Sequence, residues 1–327
     1  MKNLKEIAAE LGLSSATISR VVNNKSTVSE ETRARVLEAL ERCEYRPNLV
    51  ARSLKSRSTH TIGVVIPDIT ERFFGRVIKA VIKTAEEAGY GVLLCDSGED
   101  RGREALCLRE LSAKRIDGVI LATVDASGRT AEDLDVPAVL IDNEPESCRG
   151  RFDAVLTDNE EAGRLGCRAL LDAGCTKIGI IAGRQDETTG HDRFIGWQSA
   201  LRGAGLPCSE ERIRFGDFKE ASGYIAMREL LPVCDGVFVS SSKMAVGALL
   251  ALRDAGRTVP GSFVSRDLRL SAVDFGEPFA ALLPEIPSVL QREEEIGVRA
   301  VSLLLDRIAS PGLPCRRILL PPMRHKV

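Results

Sequence analysis

With 327 residues, 44% of them hydrophobic and 28% charged, the chain can bury two or three domain cores and is excluded from the disordered class. No run of 18 apolar residues is present, which excludes a spanning helix, and aromatics at 4% with a single Trp197 argue against an aromatic-lined channel. The net charge of -2 is unevenly spread: residues 1–60 hold 11 Lys and Arg against 7 Glu, or +4, and the remainder holds 34 basic against 40 acidic residues, or -6, so a basic segment suited to a polyanion is joined to an acidic body with other work.

The polar start (Lys2, Asn3, Lys5, Glu6) has no apolar stretch of the kind a secretory signal needs, and a cytoplasmic location is expected. Leu4, Ile7, Ala8 and Leu11 recur at helical spacing until Gly12 breaks the pattern. Ser14 is a good N-cap for a second helix that puts Ile18, Val21 and Val22 on one face and the small or polar Ser15, Ala16, Ser19 and Arg20 on the other. A third helix opens at the capping-box-like Ser29-Glu30-Glu31-Thr32 and should turn Val36, Leu37 and Leu40 inward. Helix, short turn with Gly, helix with a small polar outer face, then a supporting helix is a helix-turn-helix layout; an ordinary three-helix bundle would share the pattern. Small side chains let a helix approach base edges closely. Ser15 and Thr17 can bond phosphates or bases, and Arg20 can grip a guanine with two hydrogen bonds. Pro47 can open a helix over Asn48–Lys55 that is too short to stand alone. There Leu54, among Arg52, Lys55 and Arg57, is either an apolar wedge for a DNA minor groove or part of a plain linker packed on the body. The domain boundaries drawn are 1–47 for the DNA-binding part, 48–60 for hinge and linker, and 61–327 for the body.

The body alternates short apolar runs with amphipathic stretches. Strands are expected at Thr61–Pro67, Val92–Cys95, Gly118–Leu121, Ala138–Ile141, Lys177–Ile181 and Gly236–Val239. Helices are expected at Phe73–Ala88, Arg103–Lys114, Ala162–Ala173, Arg193–Ala204, Ala221–Leu231 and Ala245–Asp254. That rhythm predicts an α/β body of two doubly wound parallel-sheet subdomains with a ligand cleft at the strands' carboxyl ends, beside an all-α headpiece. The nine cysteines are odd in number and lack C-x-x-C spacing, so they are expected to be reduced and mostly buried. The three histidines are far apart, and no metal site or cofactor is expected. No Walker A run, Gly-x-Gly-x-x-Gly turn or Gly-x-Ser-x-Gly elbow is present, and an enzyme is not expected.

Leu4-Lys5-Glu6-Ile7-Ala8, Gly12-Leu13-Ser14, Thr17-Ile18-Ser19-Arg20-Val21-Val22-Asn23, Val28-Ser29-Glu30-Glu31-Thr32-Arg33 and Tyr45-Arg46-Pro47-Asn48 with Ala51-Arg52-Ser53-Leu54 closely resemble the headpiece and hinge of the LacI/GalR family, the bacterial lactose/galactose repressors, and the similarity runs over nearly the whole chain. The body alone also looks like a periplasmic sugar-binding protein, a scaffold that the family shares. A binding protein without DNA contacts is therefore the alternative that residues 1–57 argue against. The resemblance implies a homodimeric, effector-controlled repressor of carbohydrate genes on a pseudo-palindromic operator. DNA contacts would come from Ser14, Ser15, Ala16, Thr17 and Arg20 and, in the hinge, Asn48, Ala51, Leu54 and Lys55. No heptad tail follows the body, so a dimer is expected rather than a tetramer.

The resemblance also carries over pocket positions: Phe73 and Phe74 at the start of the first body helix, Asp142 after Val139-Leu140-Ile141, Asp158 in Thr157-Asp158-Asn159, Arg193 in Arg193-Phe194-Ile195-Gly196-Trp197, and Phe218. Core rings, a surface ion pair for Arg193 and a helix N-cap for Asp158 are the plainer alternatives. Two departures stand out. Ser242 occupies the place of the family's Asp before Met244-Ala245-Val246-Gly247-Ala248-Leu249, and Val273-Asp274-Phe275-Gly276 replaces its Gly-Phe-Asp-Asp after an insertion near Ser262–Arg269. Loss of a carboxylate suggests an anionic effector such as a sugar phosphate, held by Arg193 with Ser242 and Lys243 or Arg184; an altered or lost ligand response would fit the same changes.

Overall fold

The computed structural model describes residues 4–22, 28–43, 58–258, 265, 267–276 and 279–325. The proposed hinge contacts Asn48, Ala51, Leu54 and Lys55 lie outside these residues, as does part of the insertion before Arg269. The chain divides into two compact units, Met1–Thr59 and His60–Val327.

In the first unit, α1 (Leu4–Leu11), α2 (Ser15–Val22) and α3 (Glu30–Arg42) enclose a small core of Ala8, Ile18, Val21 and Val36, with Leu11, Leu13, Val22, Val28 and Leu40 around it. Gly12 makes the turn at φ 66°, and the Leu13 amide returns to the Ala8 carbonyl at 2.9 Å. Ser14 Oγ caps α2, accepting from the Thr17 amide at 3.1 Å, and Ser29 Oγ accepts from the Thr32 amide at 3.4 Å to cap α3. The expectation that Leu37 points inward is corrected: it is 51% exposed, and Ala39 is buried instead. Val36, Ala39 and Leu40 share one stripe at three- and four-residue spacing, which leaves Leu37 one helical step off it.

The second unit holds two sheets. The first is built from β1 (Thr61–Ile66), β2 (Gly91–Asp96), β3 (Gly118–Leu121), β4 (Ala138–Ile141), β5 (Asp153–Thr157) and β11 (Arg317–Leu320) in the order β11-β5-β4-β3-β1-β2, all parallel. The second is built from β6 (Ile178–Ala182), β7 (Ile213–Phe215), β8 (Gly236–Val239), β9 (Arg269–Val273), β10 (Ser288–Leu290) and β12 (Met323–Arg324) in the order β12-β10-β9-β8-β6-β7, parallel except for β12. Helices α4 (Arg72–Glu87), α5 (Arg101–Ala113), α6 (Asn159–Asp172), α7 (Thr188–Gly203), α8 (Glu220–Leu230), α9 (Ser242–Asp254) and α10 (Glu293–Ala309) cover the faces. Ile62, Val64 and Ile66 of β1 pack with Val77 and Val81 of α4 and Val301 and Leu304 of α10; Val65, on the other face, packs with Leu108 and Leu111 of α5. Burial on both faces is why β1, β3, β4, β6 and β8 read as unbroken apolar runs.

The chain passes between the sheets three times, at β5 to α6, β10 to α10 and β11 to β12, and hydrogen bonds join these passages. Thr157 Oγ1 donates to Gln291 Oε1 at 2.6 Å, the Asp158 amide to the Leu320 carbonyl at 2.9 Å, and Arg292 Nε to the Pro321 carbonyl at 2.9 Å. The cysteines are free, but only Cys148, Cys167, Cys175 and Cys234 are buried, so burial is less general than expected, and Cys208 is exposed. Burial pushes the Cys167 and Cys234 thiols up to about 12, out of reach of thiolate chemistry.

Candidate functional site

The loops leaving the carboxyl ends of both sheets face one cleft. Asp68 follows β1, Asp142 follows β4, Arg184 follows β6, Phe218 follows β7, Ser241 follows β8 and Asp274 follows β9, and all line it. Asp142, Phe218 and Asp274 hold left-handed backbone at φ 65°, 66° and 55°, a cost of about 1–3 kcal/mol each that the surrounding fold must sustain. The strain thus collects at the cleft wall.

Seven of the eight pocket residues expected from sequence line this cleft: Phe73, Phe74, Asp142, Arg193, Phe218, Ser242 and Asp274. Phe73 and Phe74 open α4 edge to face, with centroids 5.0 Å apart. The Phe218 ring lies where Gly183 has no side chain; a Cβ there would stand 1.9 Å from the ring. Asp158 is the exception and a correction. It is absent from the wall, and its Oδ1 accepts from the Glu161 amide at 2.9 Å as the N-cap of α6.

Arg193 sits in the second turn of α7 and is only 4% exposed. Its Nε donates to Asn159 Oδ1 at 2.8 Å and its Nη1 to the Ser240 carbonyl at 2.7 Å, which fixes the plane of the guanidinium. Burial pushes the Asp142 carboxyl up to about 7, against the pull of Arg193. Burial also raises Asp274, although Arg193 and two hydrogen bonds from Gln291, from its amide at 3.1 Å and from Nε2 at 2.5 Å, oppose it.

Sequence reading missed most of the cleft's carboxylates. Asp68 and Glu71 pair with Lys243 at 2.6 and 2.9 Å, and Glu99 and Glu187 pair with Arg184 at 3.1 and 3.0 Å. Asn143, Thr189 and Gln291 add further hydrogen-bonding groups. Position after a strand's carboxyl end is the one signal that would have singled these residues out.

On the headpiece, Ser14, Ser15, Ala16 and Arg20 are exposed and Thr17 is half-buried, while Ile18 and Val21 are buried. Ser14 Oγ and Thr17 Oγ1 lie 2.9 Å apart. Among the described residues, no cluster of His, Cys, Asp or Glu fits a metal ion, and no helix is long and apolar enough to cross a membrane.

Two family models match the chain: the periplasmic binding proteins and sugar binding domain of the LacI family over residues 59–318, and the bacterial regulatory proteins of the lacI family over residues 3–48. The ribose operon repressor of Escherichia coli K12 is 32% identical over 330 aligned positions, covering 99% of this chain and 98% of that one. The transcriptional regulator CelR in complex with cellobiose superposes with a TM-score of 0.74 at 29% identity, covering 99% and 98%. The Lac repressor dimer bound to operator and the anti-inducer ONPF superposes with a TM-score of 0.82 at 25% identity, with the same coverage.

Proposed function

Because the chain belongs to the LacI family of bacterial regulatory proteins and is a ligand-responsive, DNA-binding transcriptional regulator, we propose that it represses carbohydrate genes as a homodimer and that its cleft takes a neutral sugar. The headpiece match over residues 3–48 favours this over a binding protein without DNA contacts. In this reading residues 1–47 bind DNA, 48–60 are the hinge and 61–327 bind effector and dimerise. Two copies of α2 meet two half-sites of a pseudo-palindromic operator. Ser15, Ala16 and Arg20 face bases, Ser14 and Thr17 face phosphates, and Asn48, Ala51, Leu54 and Lys55 act at the centre of the site. Arg20→Ala is expected to cost about 1–3 kcal/mol of operator affinity and to relax preference at one position per half-site. Operator selection from random DNA measures this, and an unchanged preference would remove Arg20 from base reading.

The charge balance of the cleft carries the choice of effector. Two of its cations are each paired with two carboxylates, Lys243 with Asp68 and Glu71 and Arg184 with Glu99 and Glu187, and the third, Arg193, lies in the fields of Asp274, Asp142, Asp192 and Glu187. A phosphate would have to displace carboxylates that already serve these cations. Sugar hydroxyls can instead donate to the carboxylates and accept from Arg193, with the Phe73, Phe74 and Phe218 rings against the sugar's C–H faces. Ser242 in place of an Asp therefore does not make the pocket cationic. Thermal unfolding against free sugars, sugar phosphates, nucleobases and nucleosides tests the choice. A neutral sugar at 100 times its dissociation constant should add about 2.7 kcal/mol of stability. A shift with phosphates alone would reinstate the anionic effector, and no shift with any compound would point to a lost ligand response.

A further inference from the structure

Opposite charges face each other across the lip of the cleft. The first-sheet side presents Asp68, Glu71 and Glu99; the second-sheet side presents Arg184, Lys219 and Lys243. Lys243 Nζ stands 2.6 Å from Asp68 Oδ2 and 2.9 Å from Glu71 Oε2, and Ser242 Oγ donates to Glu71 Oε1 at 3.3 Å. One oxygen of Glu99 takes both Arg184 Nη2 at 3.1 Å and Lys219 Nζ at 3.2 Å.

The acidic side is built to reach across. Glu71 holds the N-cap position of α4, yet its side chain makes no cap hydrogen bond; it serves the opposite wall instead. Asp68 is fixed in place by the Thr70 amide at 2.8 Å and Thr70 Oγ1 at 2.6 Å. Partial burial pushes the Asp68 carboxyl up, but the hydrogen bonds from Lys243 and Thr70 outweigh it and bring it down to about 2.

We propose that these ion pairs form a latch between the two walls, with Lys243 as its main bolt, so that the cleft opens for ligand exchange only when they break and ionic strength sets how often it does so. The proposal rests on the reading of the cleft as the effector site and adds how that site is gated. Screening acts over about 8 Å at 0.15 M salt and about 3 Å at 1 M, so added salt weakens partly exposed pairs of this length.

Amide hydrogen exchange of the full chain with no sugar added tests the latch, at about 0.05 and 0.5 M NaCl. Lys243→Gln should speed exchange in peptides spanning residues 67–75 by roughly fivefold, and Lys243→Arg should restore the parent rate. Salt should speed exchange of the same peptides in the parent protein and add little in Lys243→Gln. Faster exchange confined to residues 241–248, or an equal salt response in both proteins, would overturn the latch, because local loosening around position 243 would not reach the opposite wall. The outcome is independent of the sugar panel: exchange can respond where no sugar binds, and a sugar can bind where exchange does not respond.

Discussion

Replacing Arg193 by alanine is expected to abolish the effector response and to lower stability by about 3 kcal/mol. The guanidinium is buried and donates to Asn159 Oδ1 and the Ser240 carbonyl, so truncation strips donors from two acceptors in the wall. It also removes the positive field that opposes the burial of Asp142 and Asp274, and both carboxyls should shift further upward. Arg193→Lys keeps the charge but not the planar fork, and is expected to recover part of the stability and little of the sugar response. Urea unfolding with and without sugar measures both effects. An alanine variant that still shifts with sugar as the parent does would remove Arg193 from the binding wall.

Gly163→Ala is the second large effect. Helices α6 and α7 meet backbone to backbone: a Cβ on Gly163 would stand 2.0 Å from the Arg193 carbonyl oxygen, and one on Gly196 would stand 1.9 Å from that of Glu160. These contacts are with backbone atoms, so the helices must separate. Alanine's helix propensity favours the variant by about 1 kcal/mol, and overpacking costs about 1–3 kcal/mol or more, so a net loss is expected. Function should suffer with stability, because Arg193 rides on α7 and its partner Asn159 on α6. Gly75→Ala is the control: it is helical and exposed, with nothing within 4 Å of the added carbon, and should be neutral or slightly stabilising. A Gly163→Ala protein as stable as the parent would contradict the close packing of this pair.

The strands were the most legible part of the chain. Gly118–Leu121, Ala138–Ile141 and Gly236–Val239 occupy the residues expected, because Asp117, Asp142, Asp235 and Ser240 close four of their six ends and Pro137 marks a fifth. The sequence pattern places the start of α7 at Arg193 and of α6 at Ala162, whereas they begin at Thr188 and Asn159. Gly190, in the first turn of α7, serves close packing: a Cβ there would meet the Arg184 carbonyl oxygen at 2.0 Å. The return of β11 to the first sheet and of β12 to the second could not be read locally, since sheet membership depends on pairing between distant segments. Helix α10 was readable, with Ile296, Ala300, Val301, Leu303 and Leu304 on one buried stripe, but it was not singled out.

The site divides the same way. Arg193, the three phenylalanines and Asp142 come from family resemblance, and Asp274 from a departure within it, not from periodicity. Asp158 has two local uses, pocket or cap, and only the fold chose the cap. Asp68, Glu71, Glu99 and Glu187 look like ordinary acidic surface in sequence. The fold sets them on loops opposite Lys243 and Arg184, and that placement supports the proposal of a neutral sugar over the anion that Ser242 alone suggests.

A ligand-controlled regulator couples occupancy of its cleft to its affinity for DNA. The direct measurement is the dissociation constant of the full chain for an operator selected from random DNA, at fixed salt, with and without the sugar that stabilises it. A change of about 5–150-fold, in either direction, is expected, together with loss of that change in Arg193→Ala. An operator affinity that is the same with the cleft saturated would contradict it.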